Sequence, residues 1–278
     1  MIRLPTYLAT RYVQPLREGG SLPAIVETEE GGLYVVKFRG AGQGPRALIA
    51  ELVVGMLATA AGLPVPELAA IELPDAFGLT EPDPEIRDLL RASTGTNVGL
   101  RYLDGAFNYD ARAAGELLDP EFSARTVWLD AWLTNPDRTA RNPNLLIWER
   151  RPWLIDHGSA LYAHHAWATV DDEKTRLPFP LVREHVLLSL AGDIEAADAA
   201  MTGALREDVI FAALTAVPDA LLMDPLARDD FDSADAVRER YRRYLTDRLR
   251  APRAFVEAAV RAREQRRTET PQRLETRR

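Results

Sequence analysis

The stretch Asn135-Pro-Asp-Arg-Thr-Ala-Arg-Asn-Pro-Asn-Leu-Leu146, followed by Trp153-Leu-Ile-Asp-His-Gly158, decides how this chain is read. Pro136 drives Asn135 out of the helical region, so the preceding helical pattern ends there and Asp137 falls on an ordered loop. Asn142 stands five residues on, and a second aspartate, Asp156, sits in Ile-Asp-X-Gly. Three oxygen-bearing side chains in this order suit phosphoryl transfer. Asn142 and Asp156 are hard ligands for a Mg²⁺ bridging a nucleotide's phosphates, and Asp137 is the carboxylate that orients or deprotonates an acceptor hydroxyl. Taken alone, Asp137 reads better as a turn cap, with the asparagines as turn residues. Convergence favours the chemical reading: a hairpin of Asn144 to Trp148 and Trp153 to Ile155, around Glu149-Arg-Arg-Pro152, brings Asn142 and Asp156 together.

Upstream, Lys37 is the only charge in Leu33-Tyr-Val-Val-Lys-Phe38, in a chain with 34 basic residues of which only Lys37 and Lys174 are lysines. A buried ammonium needs an anion. Glu51 is the only charged side chain between Ala47 and Pro66, on a helix apolar around most of its circumference, and needs a cation. Pairing of the two, with Lys37 also reaching a nucleotide's α- and β-phosphates, answers both needs. A purely structural ion pair is the plainer alternative, and the weak net worth of buried pairs argues against it. Gly19-Gly20-Ser21, between two expected strands, offers backbone N–H groups and a hydroxyl to phosphates; Gly40, Gly42 and Gly44 before a helix offer the same less directly. Either glycine run also reads as a plain turn.

Around these residues the pattern predicts an α+β chain. Thr10 to Leu16, Ala24 to Thr28 and Leu33 to Phe38 read as an antiparallel three-stranded meander, and Pro45 opens a helix that ends before Gly62. Ala69 to Leu73 and Val98 to Leu103 read as further strands, with a short helix in a surface insertion from Glu81 to Leu90. Gly105 marks a hinge between a small antiparallel β-rich lobe with one helix, residues 1–104, and a larger helical lobe, residues 105–267. Glu121 to Thr134 carries Val127, Trp128, Ala131 and Trp132 at helical spacing, and from Leu181 to Arg267 the pattern is helical throughout. The tail 268–278 lacks apolar periodicity and is expected to fray.

Composition excludes several classes. With no cysteine among 278 residues there is no disulfide, thiolate metal site or cysteine nucleophile, and four histidines without metal-site spacing argue against zinc. For His157, His164 and His165 local hydrogen bonding is the better reading. No apolar run is long enough for a membrane span, and the N-terminus lacks a signal-peptide core; a soluble, unprocessed, cytoplasmic chain is expected. Net charge is -8, although the region from Ser233 onward holds 14 arginines against 7 acidic residues. Tyr241, Tyr244, Leu245 and Leu249 supply that region's inward stripe, and its arginines are expected to pair with Asp247, Glu257 and Glu264, so nucleic-acid contact is disfavoured.

In order, the Gly-rich loop, strand lysine, helix glutamate, Asp-Arg-X-X-X-Asn loop and Ile-Asp-X-Gly resemble the protein-kinase-like superfamily, and within it the bacterial HipA-like kinases. Asn135-Pro-Asp-Arg-Thr-Ala-Arg-Asn142 resembles the HipA catalytic loop, and Val36-Lys-Phe-Arg-Gly-Ala-Gly-Gln-Gly44 is similar to a signature of a compact subgroup. The resemblance implies a two-lobed kinase-like fold. It implies Asp137 as catalytic base, Asn142 and Asp156 as Mg²⁺ ligands and Lys37 with Glu51 as the phosphate-positioning pair. By order alone, Leu100-Arg-Tyr-Leu-Asp104 supplies the adenine-binding backbone, with Tyr102 and Leu103 at its centre. The chain departs from the pattern where kinases carry His-Arg before the catalytic aspartate (Asn135-Pro136), where they carry Phe (His157) and where HipA carries histidine (Thr139). The expectation is an ATP- and Mg²⁺-dependent kinase acting on a Ser or Thr hydroxyl of a protein. A small-molecule phosphotransferase of the aminoglycoside- or choline-kinase kind is the alternative, and a nucleotide-binding scaffold the third. The partner is then a protein or small-molecule phosphoacceptor, with room for a regulatory protein.

Overall fold

The computed structural model describes residues 2–16, 22–79, 81–110 and 115–268. Five strands, β1 (Thr6–Pro15), β2 (Ala24–Thr28), β3 (Leu33–Lys37), β4 (Leu68–Leu73) and β5 (Gly95–Arg101), close into a barrel in the order β1-β2-β3-β5-β4. Neighbours run antiparallel except at the closure, where Thr6, Tyr7 and Leu8 pair in parallel with Ala70, Ile71 and Glu72. The expected all-antiparallel sheet is therefore corrected to a mixed one. β1 also starts four residues before Thr10, and those residues make the parallel contact. Parallel pairing joins segments far apart in sequence and leaves no local turn signal. Ala9, Val26, Tyr34, Val36 and Ile71 fill the barrel, and Phe77 and Leu90 join the same cluster from the connection to and through α2 (Pro84–Ala92).

Helix α1 (Gly44–Ala60) follows β3. Gly44 at φ +65° and Pro45 start it, and Gly62 at φ +76° ends it, a left-handed position that suits glycine. It is buried almost all round because it packs on β4 and β5 and also on two helices of the C-terminal half, Glu207–Ala216 and Asp219–Leu222. Close packing also explains the glycine at 40: a Cβ there would lie 2.7 Å from the Ala92 Cβ and 2.9 Å from its backbone carbonyl oxygen. Arg39 pairs with Asp224 and Arg46 with Asp229, fastening the connection before α1 and the first turn of α1 to a distant segment.

The C-terminal half is helical around one core continuous with α1. α3 (Pro120–Trp132), capped by Asp119, buries Trp128 and Trp132, whose indole N–H groups donate to Asp198 (2.8 Å) and to the Leu245 carbonyl (3.2 Å). A small antiparallel sheet of β6 (Phe107–Asn108), β7 (Leu145–Trp148) and β8 (Arg151–Leu154) follows. Its hairpin turns at Glu149-Arg150, both with positive φ (48° and 60°), a primed two-residue turn without its usual Asn-Gly. β8 consequently begins at Arg151, two residues before the expected strand. The remaining helices are α4 (Asp172–Thr175), α5 (Ile194–Ala204), α6 (Glu207–Ala216), α7 (Asp219–Leu222), α8 (Ala234–Leu249) and α9 (Ala254–Thr268).

Helix was expected without a break from Leu181, and this is corrected. Pro180–Glu184 is a 3-10 turn, and residues 185–193 and 223–233 are irregular. Arg248, one of the arginines expected to pair with nearby acidic residues, is instead buried and donates to the carbonyls of Ala131, Trp132, Thr175 and Leu177. Four carbonyls without an anion satisfy the guanidinium, so charge counting could not reveal it. Of the three expected acidic partners only Asp247 forms ion pairs among the described residues, with Arg243 and Arg250. The tail after Thr268 lies outside the described residues. Among the described residues no helix is long and apolar enough to cross a membrane.

Gly40→Ala should cost about 1–3 kcal/mol, the usual penalty of forcing a methyl into a filled site. Urea unfolding measures it, and a loss under about 0.5 kcal/mol, the range of an unconstrained surface site, would contradict the packing argument.

Candidate active site

Lys37 ends β3 at 9 % exposure and points at α1, where Glu51 is fully buried. Nζ donates to Glu51 Oε2 at 2.7 Å and also to Asp156 Oδ1. Burial alone would lower the lysine's pKa, but the two carboxylates outweigh it and hold the ammonium charged. Burial likewise works to raise Asp156, and Lys37 more than reverses this, keeping it ionised. Glu51 is pushed up by burial against the pull of Lys37. One cation thus serves two carboxylates, and the negative excess lies at Asp156, whose side chain is 44 % exposed.

Asp156 follows β8 with φ +56°, and Asn144, just before β7, has φ +48°. These left-handed conformations are where the hairpin's ends meet, with the Ile155 N–H donating to the Asn144 carbonyl at 3.1 Å. Asn144 Nδ2 donates to Asp137 Oδ2 (3.2 Å) and approaches the Asp156 carbonyl (3.4 Å). Asn142 Nδ2 donates to the same Asp137 oxygen at 2.8 Å, so its amide oxygen is the atom left for a cation. The structure therefore brings Asp137, Asn142 and Asp156 into one constellation and joins it to Lys37 and Glu51.

Among the described residues no group of three or more His, Cys, Asp or Glu forms a ready metal cage. A carboxylate and an amide oxygen with negative excess charge do fit Mg²⁺, which keeps several waters and takes its other ligands from phosphates. A cleft of about 460 Å³ opens in front of Lys37 and Asp156, walled by Val35, Leu100, Tyr102, Leu103 and Ile155. Mostly apolar walls with ions at one end suit a nucleoside with its phosphates directed at Lys37. Leu103 lines the cleft, and among the described residues no backbone acceptor takes its N–H. Gly19, Gly20 and Ser21 lie outside the described residues; Leu16 and Pro23, which flank that segment, line the cleft and are joined by a 2.7 Å hydrogen bond. Glu51 does not line the cleft and reaches it only through Lys37.

A second groove, about 440 Å³, passes Pro136 between Tyr162 and the Leu177-Pro-Phe-Pro-Leu181 segment. Tyr162, Leu177 and Leu181 are exposed there, no carboxylate lines it, and Lys174 is its exposed cation, while Arg248 lies buried at its wall. A larger hollow of about 930 Å³, beside Met56, Leu68, Trp153 and Val209, is lined by none of Lys37, Asp137, Asn142 and Asp156.

Sequence reasoning missed the frame under the loop. Asp130, fully buried on α3, accepts from Arg138 Nε (2.6 Å), from His185 Nε2 (2.9 Å) and from Asn135 Nδ2 (2.9 Å), while Asn135 Oδ1 accepts the Asp137 N–H at 3.1 Å. The Leu187 N–H donates to His185 Nδ1 at 3.0 Å, which leaves the His185 proton on Nε2 facing Asp130. Burial would raise the Asp130 carboxyl, but Arg138 and His185 hold it well below the usual carboxylate range. Asp130 is the lone charge in Val127-Trp-Leu-Asp-Ala-Trp-Leu133, the same signal that singled out Glu51. The three histidines read as local hydrogen bonders make such contacts: His157 with Arg138 (3.2 Å), and His164 with Tyr241 (2.9 Å) and His165 (3.2 Å).

A family model described as HipA-like kinase matches residues 10–173. No curated protein matches the sequence. Among solved structures, the chain is similar to the crystal structure of a Helicobacter pylori proinflammatory kinase, CtkA, at a TM-score of 0.54 and 15 % identity, covering 94 % of this chain and 99 % of that one. At that identity the likeness concerns the fold.

Breaking a buried ion pair strands its partner, so Asp130→Asn should cost about 3–5 kcal/mol in denaturant unfolding. Because the folded pKa of Asp130 is depressed, its contribution is present above the unfolded value near 4 and is lost as pH falls below it. Unfolding curves from pH 7 to 3 should therefore be flatter for Asp130→Asn than for the wild type; parallel curves would contradict the assignment.

Proposed function

The chain belongs to the HipA-like kinase family, and on that premise we propose that it transfers the γ-phosphate of ATP, with Mg²⁺, to a Ser or Thr hydroxyl of a polypeptide by direct in-line displacement. In this reading residues 1–104 and 105–267 act as two lobes, and the segment through Tyr102 and Leu103 carries the adenine. The observation that supports it best is the joining of Lys37, Glu51, Asp156, Asn142 and Asp137 by the short contacts described above. Lys37 holds the α- and β-phosphates while Glu51 fixes its ammonium. Asn142 and Asp156 would hold the metal, which neutralises charge developing on the phosphoryl oxygens when bound. Asp137, oriented by two asparagine amides, accepts the acceptor hydroxyl's proton.

The groove beside Pro136 favours a polypeptide acceptor. A cationic metabolite, the acceptor of the aminoglycoside- or choline-kinase alternative, needs carboxylates in its pocket. This groove offers exposed apolar side chains and Lys174 instead, the Arg248 guanidinium behind it being taken up by backbone carbonyls. The scaffold reading is weakened because each side chain that the transfer requires is present.

Incubation with γ-labelled ATP, Mg²⁺ and a bacterial protein extract, with small molecules analysed in parallel, tests this. Label should appear on polypeptide, and Asp137→Asn should lower it about 10²- to 10⁴-fold, the usual worth of a general base. Label confined to small molecules, or undiminished in Asp137→Asn, would contradict the proposal.

A further inference from the structure

Arg138 follows Asp137 directly, yet its side chain is fully buried and turned away from the cleft. Nε binds Asp130, one terminal nitrogen donates to the Asn144 carbonyl and lies 3.5 Å from that of Ile155, and the other donates to His157 Nδ1 at 3.2 Å. Apart from the anchor at Asp130, each contact lands beside an acting residue. Asn144 binds the Asp137 carboxylate, and Ile155 and His157 flank Asp156 on either side. Both left-handed residues, Asn144 and Asp156, are held through this one guanidinium, and such conformations persist only where surrounding contacts over-determine them. Asp130 anchors the arginine and also holds Asn135, which binds the Asp137 N–H. Asp130 is itself held by His185, from a turn that also receives Arg138 by its backbone: the Val186 N–H donates to the Arg138 carbonyl at 3.0 Å.

We propose that Arg138 is a positioning residue for phosphoryl transfer, setting the placement of the Asp137 carboxylate relative to Asp156, with Asp130 and His185 holding its guanidinium in place. The inference rests on the kinase reading. A planar fork is what the site requires, because three directions must be met from one group, and the point charge of lysine meets one of them. Purely structural service is the weaker explanation. A buried ion pair contributes little net stability compared with apolar packing, and the contacts to Asn144, Ile155 and His157 end beside the residues that carry the chemistry.

Arg138→Lys keeps the charge beside Asp130 and loses the fork. Binding of a fluorescent ATP analogue without metal should stay within about threefold of wild type, since Lys37 and the cleft walls are untouched. The Mg²⁺ concentration needed for half-maximal rate should rise about tenfold, as for other residues that orient metal ligands. The value of kcat should fall about 10²-fold with KM for ATP little changed, the scale expected when a reacting group is misplaced by about an ångström. If Arg138→Lys does not melt cooperatively, His185→Leu and His185→Gln take its place. The first should lower kcat about tenfold, and the second, whose amide N–H can replace Nε2–H, should restore it. Wild-type kcat and Mg²⁺ dependence in folded Arg138→Lys would overturn the proposal, as would loss of metal-free binding, or His185 variants that melt early yet turn over normally. Wild-type protein that binds no nucleotide removes the kinase reading itself, a result obtained before any variant is compared.

Discussion

Lys37 is the single cation between two carboxylates that arrive from different parts of the chain, Glu51 on α1 and Asp156 after β8. Its contacts fix a barrel strand, a buried helix and the candidate metal-binding turn with respect to one another. Removing Lys37 would strand the fully buried Glu51 carboxylate and release Asp156, so the three elements depend on one another. α1 cannot readily swing to break the pair, because it is packed on the barrel and also on α6 and α7. The leftover negative charge at the exposed end of this cluster is what suits a divalent cation carrying phosphates.

A second buried pair, Asp130 with Arg138, lies beneath the loop, and His157 connects the two. Its backbone N–H donates to Glu51 at 2.8 Å and its ring accepts from Arg138. Burial, together with Arg138, lowers the imidazole's pKa to about 3, so it stays neutral among fixed charges. A neutral acceptor is what the position demands, since a second cation facing Arg138 would oppose the pair it adjoins. Where the sequence departs from the common kinase pattern at His157, Asn135 and Pro136, the structure thus gives two of the replacements definite partners: His157 with Arg138, and Asn135 with Asp130.

Much of the site was legible because its charges are isolated. Lys37 stood out in a lysine-poor chain, Glu51 on an apolar helix, and Asp156 at the end of a short hairpin. Asp130 carries the same signature within Val127 to Leu133 and went unread, because no nearby motif drew attention to it. His185 and Arg248 were illegible for another reason: their partners lie 55 or more residues away and are, for Arg248, carbonyls that any sequence provides. The parallel closure between β1 and β4 is likewise a long-range choice. The breaks at 185–193 and 223–233 coincide with breakers that an unbroken helical reading passed over, Gly192 before the Asp193 cap in the first and Asp224-Pro225 with Asp229, Asp230 and Asp232 in the second.

Contact of Lys37 with a nucleotide's phosphates is directly measurable, because the chain has only two lysines. An acyl-phosphate derivative of ATP transfers its acyl group to an amine held beside the phosphate chain, and peptide mass spectrometry reads the site. The account predicts acylation of Lys37, suppressed by excess ATP, with Lys174 labelled no more than free amine in solution. Labelling of Lys174 alone, or labelling of Lys37 that ATP does not suppress, would contradict it.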